Sequence, residues 1–330
     1  MHADPEYQKR IQAQIDQYAT IDGNMHSIPD IASYFRNNFI KQHTKEIFDA
    51  SGVTDFYAKP MIRSIERTGS PKIASIGSGD GTVELQIAKF LDSRNVDFRF
   101  TLFELSPILL EKAERNFHRA GLAHRLDPQQ VDINTWSPST EYACYMAHHS
   151  LHHIQSLERL FDGVRASVLG NFVTMDMIGR NGHMCWPEVL DIVERIWAFL
   201  PPEKRQHYVL KGYEKQFINW DCSKQGFEGI RAQDILPLLL TRFGFEGFLG
   251  FGGLIDPFVG RGFGRHYNVE ISEDRAFIDF LGYINDILLD LGHIKPTKMF
   301  AVMTKDLNAP TKYVGRRTPV FSIRQVGCNS

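Results

Sequence analysis

Short apolar runs alternate with longer segments of helical spacing between Ile73 and Met177. The first run breaks into three glycines within five residues, and the alternation resumes from Gln233 to Lys305 after a long interruption. These observations predict an α/β fold: a Rossmann-like, doubly wound sheet with an N-terminal helical cap and an inserted helical lid. The bulk properties agree. A chain of 330 residues, 43% hydrophobic and 23% charged, is long enough for one large core with additions. A net charge of -2 gives no field able to gather a nucleic-acid backbone or an anionic membrane. The start lacks a basic segment followed by an apolar one, and no long apolar run appears later, so a cytoplasmic protein is expected. Cys144, Cys185, Cys222 and Cys328 form no CxxC pair, which argues against a disulfide framework or a thiolate zinc site.

In chain order, residues 1–70 read as the cap: Tyr7, Ile11, Ile15 and Tyr18 recur at helical spacing, and the aromatic-rich "IASYFRNNFIKQHTKEIF" follows. Residues 71–179 form the core, with "KIASIG", "FRFTLFE", "EYACYMA" and "NFVTMDM" as strands of a parallel sheet. Residues 180–229 are too long for a simple connection. They contain a helix with Pro187 in its first turn and Val189, Val193, Ile196 and Leu200 on one face. This is the lid. Residues 230–305 complete the core: a helix and strand in "DILPLLLTRFGFEGFLGFGGLI", a helix from about Glu273 to Leu291 capped by Ser272 and ended by Gly292, and a last strand, "KMFAVMTK". The segment 306–330, with Pro, Asn, Gly and four basic residues, reads as a flexible tail.

In "IASIGSGDGTVELQIAKFL" a strand turns sharply into a helix marked by Val83, Ile87, Phe90 and Leu91. Unpaired N–H groups at such a helix start receive a polar or anionic part of a ligand, and glycines let it approach. A dinucleotide fingerprint needs a third glycine where Thr82 stands, which disfavours NAD and FAD. Glu104 closes the second strand, where a carboxylate accepts hydrogen bonds from ribose hydroxyls, and Asp132 lies where the third strand ends, beside an adenine edge. An adenosine without a long phosphate chain fits both acids.

With "IGSGDG", Glu104, Asp132 and the histidine-bearing "MAHHSLHHI" in that order, the sequence resembles the class I S-adenosylmethionine-dependent methyltransferases of the small-molecule type. The resemblance is close over Ile73 to Met177 and looser from Gln233 to Lys305. It implies S-adenosyl-L-methionine as cofactor, held by Gly77, Ser78, Gly79, Gly81, Glu104, Leu105, Asp132, Ile133 and His148. One position departs: the acidic residue common two places before the first glycine is Ser75 here, which leaves the anchoring of the methionine amino group open.

Methyl transfer from a sulfonium is an in-line displacement, so alignment does most of the work, and a base is needed only for a protonated acceptor. Of His148, His149, His152 and His153, the expected bases are His149 and His153, taken as one helical turn apart; the other reading is that His152 or His153 only packs or caps the helix start. Imidazoles also bind iron or zinc, but no carboxylate is seen nearby and no metal is expected. Asp176, Arg180, His183 and Trp186 follow the fifth strand at the carboxyl edge. Arg180, His183 and Trp186, with Tyr34 of the cap and Trp220 of the lid, are candidate walls of the acceptor pocket. Equally, Arg180 pairs with a carboxylate of the insertion, Trp186 stabilises its helix, and the aromatics are core. The glycine-rich "GGLIDPFVGRGFGRHYN" reads as a loop meeting an anionic ligand or as a tight connection.

The expected function is therefore methyl transfer to oxygen or nitrogen of a small specialised metabolite. No "NPPY"-like segment follows the fourth strand, which argues against base amines or glutamine amides. The alternatives are a metal-assisted C-methyltransferase, an aminocarboxypropyl transferase, or a non-catalytic protein that keeps the cofactor fold. Monomer and homodimer both remain open.

Overall fold

A computed structural model describes residues 5–19, 27–224 and 226–324. The Tyr18 side chain, Cys328 and residues 325–330 of the expected tail lie outside the described residues. Helix α1 (Pro5–Ala19) comes first, then α2 (Asp30–Phe35), which runs through a π-helical turn, Arg36–Ile40, into α3 (Lys41–Phe48), and α4 (Val53–Thr68). The core alternates as expected: β1 (Lys72–Ile76), α5 (Thr82–Asp92), β2 (Arg99–Glu104), α6 (Pro107–Arg119), β3 (Leu126–Gln130), β4 (Tyr142–His148), α7 (Leu157–Ser167) and β5 (Val168–Met177). After α8 (Pro187–Phe199) of the insertion come α9 (Ala232–Leu240), β6 (Gly244–Phe251), the short α10 (Asp256–Val259), α11 (Ser272–Leu291) and β7 (Lys298–Thr304).

The seven strands line up in the order β3-β2-β1-β4-β5-β7-β6. Neighbours among β1 to β5 are parallel, whereas β7 runs antiparallel to both β5 and β6. The strands of residues 71–179 are parallel as expected, and β7 alone is reversed, because it enters between β5 and β6 from the opposite end. β3 contains Pro128, tolerated because β3 is an edge strand with one neighbour. The buried central strands carry near-continuous apolar runs, and side chains of the two faces form two cores, one against α4, α5 and α8 and one against α7 and α9. Ile76, Glu104, His148 and Met177 all end strands at the same, carboxyl edge of the sheet.

Four expectations change. α4 is no cap over the site: Phe56, Tyr57 and Met61 are buried in the sheet core, and Tyr57 donates to the Ala147 carbonyl at 2.9 Å. The insertion, expected as an acceptor-side lid, also contributes to the core: Val189, Val193 and Trp197 of α8 are buried there, and Trp197 Nε1 donates to the Glu214 carbonyl at 3.0 Å. α11 starts one residue earlier, with Ile271 at the cap position and the Ser272 hydroxyl turned to Glu273, while Gly292 ends it at φ 77° as expected. Residues 306–324 are anchored rather than loose: Arg317, 3% exposed, pairs with Asp286 and Asp290, and Arg324 pairs with Glu188 of α8. Among the described residues, no helix is long and apolar enough to cross a membrane.

Candidate functional site

The glycine loop leaves β1 and enters α5 through three left-handed glycines, Gly77, Gly79 and Gly81, at φ 65°, 56° and 68°. At two of them space also demands glycine. A Cβ on Gly77 would stand 2.6 Å from Ser150 Cβ, and one on Gly81 would stand 2.8 Å from Ala113 Cβ. A Cβ on Gly79 would meet nothing within 4 Å, so this part of the loop faces open space. Between them, Ser78 Oγ is buried and has no hydrogen-bond partner among the described residues. The Ser150 hydroxyl donates to the Ile76 carbonyl at 2.6 Å, tying the glycine loop to the histidine segment after β4.

Glu104 folds back onto this loop. It accepts hydrogen bonds from the backbone N–H of Gly79 at 2.8 Å and of Leu105 and Ser106 at 2.9 Å each. Burial pushes its pKa up against those three donors. A carboxylate offers about four acceptor positions, so one remains for a hydroxyl. Asp132, just past β3, accepts from the Tyr7 hydroxyl of α1 at 2.7 Å and from its own chain at Asn134 N, at 2.9 Å. Ile133 beside it is core. Burial and the Asp132 carboxylate raise the Tyr7 pKa, which keeps the phenol a donor. Tyr7 meets Phe227 edge-on at 5.6 Å, so α1 bridges the third-strand acid and the end of the insertion.

Two of these groups were invisible in the sequence motif. Tyr7 reads only as one of several helical aromatics. Glu84, in the first turn of α5, is buried and accepts a hydrogen bond from the Ser75 hydroxyl at 2.6 Å; burial raises its pKa to about 7. A buried carboxyl thus stands against Ser75, contributed by the first turn of α5.

The histidines do not sit as spaced. No helix starts at 149: His149 is left-handed at φ 52°, Leu151–His153 is a 3-10 turn, and α7 begins only at Leu157. His149 and His153 are therefore not stacked one turn apart. His152 meets His153 at 4.1 Å between centroids and His183 at 5.1 Å, while His149 meets His148 at 5.1 Å. His152 Nδ1 lies 2.6 Å from Asp176 Oδ1, whose other oxygen accepts from the N–H groups of Ser150 and Leu151. On the far side stands Glu228, at the end of the insertion: its oxygens lie 3.5 Å from His152 Nε2, 3.7 Å from His153 Nδ1 and 2.7 Å from His183 Nε2. The carboxylate absent from the sequence around the histidines comes from more than seventy residues downstream of His153.

Burial lowers the imidazoles of His149 and His153 to about 3 and that of His148 to about 4. For His152 burial acts in the same direction, but Asp176 and Glu228 outweigh it and raise the pKa to about 9. Burial thus holds His149 and His153, the expected bases, in the uncharged form that can accept a proton, below the neutral range expected for them. His148 Nδ1 is 3.1 Å from the Tyr57 hydroxyl, which also accepts from Met175 N.

The proposed pocket walls separate. His183 joins the cluster. Arg180 donates to the Cys185 carbonyl at 3.1 Å and so braces the turn into the insertion, while the Trp186 ring carries the Arg324 guanidinium at 4.7 Å. The Tyr34 hydroxyl donates to Asp279 of α11 at 3.0 Å, and Trp220 is 56% exposed. In the glycine-rich segment after β6, Asp256 pairs with Lys298 at 2.5 Å and Arg265 donates to the Ser27 carbonyl, which fits a tight connection.

No protein-family model and no curated protein sequence matches the chain. Solved structures of similar shape include the O-methyltransferase segment of StiE, 12% identical over 85% of this chain and 83% of that one, with a TM-score of 0.44. Another is the O-methyltransferase of a trans-AT polyketide synthase multienzyme of Brevibacillus brevis with S-adenosyl-L-homocysteine, 14% identical over 75% and 72%, at 0.39. A third is the [4+2]-cyclase SpnF, 14% identical over 75% and 81%, also at 0.39. These values describe a general likeness of shape and leave the reaction open. The sheet order, the antiparallel β7 and the glycine loop between β1 and α5 together give this chain the fold of the class I methyltransferases.

Proposed function

We propose that this chain is an S-adenosyl-L-methionine-dependent methyltransferase that acts on oxygen or nitrogen of a small metabolite, in specialised metabolism and in the cytoplasm. The observation that carries the reading is the buried Ser78 hydroxyl without a partner, set beside open space at Gly79 and below a Glu104 carboxylate with one acceptor position left. This donor set suits a ribose with two hydroxyls and a zwitterionic amino acid. Ser78 and the loop N–H groups would hold the carboxylate end, Glu104 with Leu105 the ribose, and Asp132 with Ile133 the adenine side. Glu84 and Ser75 would face the ammonium end in place of the missing motif acid. When bound, the cofactor supplies an electrophilic methyl on a sulfonium.

The chain's own part is alignment. Uncharged His148 and His149 at the end of β4 offer nitrogen lone pairs to an acceptor O–H or N–H, and orient it without repelling the sulfonium. α1 and the end of the insertion, joined through Tyr7 and Phe227, stand beside Asp132, and the acceptor we propose there is a metabolite rather than a polymer such as nucleic acid. A non-catalytic binding protein fits less well, because neither the glycine loop nor the Glu104 carboxylate is lost. Incubation with methyl-labelled cofactor and metabolite extracts tests the proposal: transfer of label to a small molecule supports it. Cofactor binding with transfer of a different group, or of none, would replace it with one of the alternatives.

A further inference from the structure

Three groups from distant parts of the chain converge beside the acceptor edge: His152 and His153 from the 3-10 turn after β4, and Glu228 from the end of the insertion. One ligand atom from each lies within 4.8 Å of the other two. We propose that His152 Nε2, His153 Nδ1 and the Glu228 carboxylate form a binding site for one divalent transition-metal ion, zinc or ferrous iron.

The surroundings are those of a metal site. Ligand atoms on such an ion stand about 3.0 to 3.4 Å apart at bond lengths of about 2.0 to 2.1 Å; the separations from Glu228, 3.5 Å and 3.7 Å, exceed this by a few tenths of an ångström, and the three ligand atoms, all within 4.8 Å of one another, draw together by side-chain rotation on binding. Two imidazoles and one carboxylate leave further coordination positions open, as in catalytic rather than structural sites. Both kinds of ligand have the outer partner that a metal requires. Asp176, fully buried, takes the Nδ1–H of His152 at 2.6 Å and so presents Nε2 toward Glu228; His183 Nε2 stands 2.7 Å from Glu228 and orients its carboxylate. Asp176 is itself fixed by the N–H groups of Ser150 and Leu151, which leaves it little freedom to act otherwise. The site has an open side, since Glu228 keeps 30% of its side chain exposed against 6% for His152. An oxygen or nitrogen of a small acceptor can reach the ion there. The inference does not rest on methyl transfer, because it concerns ligands and not the cofactor.

The test uses the full chain without a purification tag, stripped with a chelator, incubated with Zn2+ or with Co2+ as a coloured probe, dialysed, and measured by elemental analysis. Wild type should retain about one ion per chain, with a Co2+ absorption spectrum of nitrogen and oxygen ligation. Glu228→Gln and His153→Gln should lose it, and His183→Gln should weaken binding by about 10-fold to 100-fold, the usual effect of removing an outer partner. His118→Gln, on the exposed face of α6, should bind as wild type does. Thermal melts of the chelated proteins show whether each variant folds, and Co2+ titration of wild type alone decides the matter if one does not. No retained ion in wild type, or equal retention by Glu228→Gln, would overturn the site and leave a His152 imidazolium between two carboxylates in its place.

Discussion

Replacing Glu84 by glutamine should stabilise the chain at pH 8 and change it little near pH 4.5. Glu84 is 2% exposed, and burial holds its carboxyl at about 7 against an ordinary 4.5. Below 4.5 the group is neutral in the folded and unfolded chain and costs nothing. Between 4.5 and 7 the unfolded chain releases the proton while the folded chain keeps it, so stability falls as pH rises, and above 7 the loss is complete. At about 1.36 kcal/mol per pH unit the full loss is on the order of 3 kcal/mol. Glutamine has no proton to lose and can still accept the Ser75 hydrogen bond, now 2.6 Å long. Urea unfolding of both proteins at pH 5 and pH 8, without ligand, should show the advantage of the variant growing by about 2 to 3 kcal/mol at unchanged slope. A difference that is the same at both pH values would refute the buried, proton-retaining carboxyl.

Gly77→Ala should destabilise by about 1 to 3 kcal/mol, through strain at φ 65° and the clash with Ser150, and more than Gly79→Ala, which meets no atom; equal denaturation midpoints for the two would contradict this. Trp197→Ala should cost about 3 to 5 kcal/mol in the same assay, because α8 is core; a loss under about 1 kcal/mol would contradict that placement of α8. Tyr7→Phe keeps the ring contact with Phe227 and loses the bond to Asp132, so hydrogen exchange should quicken in α1 by a factor worth about 1 kcal/mol. A uniform change along the chain would argue against α1 as a separately docked helix.

The core was legible because period and punctuation are local. Gly77, Gly79 and Gly81 mark the loop, apolar runs mark β1, β2, β4 and β5, and Gly292 marks the end of α11. What sequence could not show were meetings across long separations. Glu228 reaches the histidines from the insertion, Glu84 answers Ser75 from the facing helix, and Tyr7 reaches Asp132 across 125 residues. The histidine spacing misled for a local reason: the positive φ at His149 breaks the helical register that four apart would need. The antiparallel β7 escaped because strand direction leaves no trace in an apolar run buried on both faces.

The central claim is that the loop from Gly77 to Gly81 and Glu104 hold an adenosyl cofactor. Calorimetric titration with S-adenosyl-L-homocysteine of wild type and of Glu104→Ala, each shown to be folded by circular dichroism, tests it most directly. Wild type should bind about one ligand per chain, and the variant should bind roughly 10-fold to 150-fold more weakly, the loss of about 1.5 to 3 kcal/mol expected when a charged acceptor is removed. No heat with wild type, or equal affinity in the two proteins, would contradict the account.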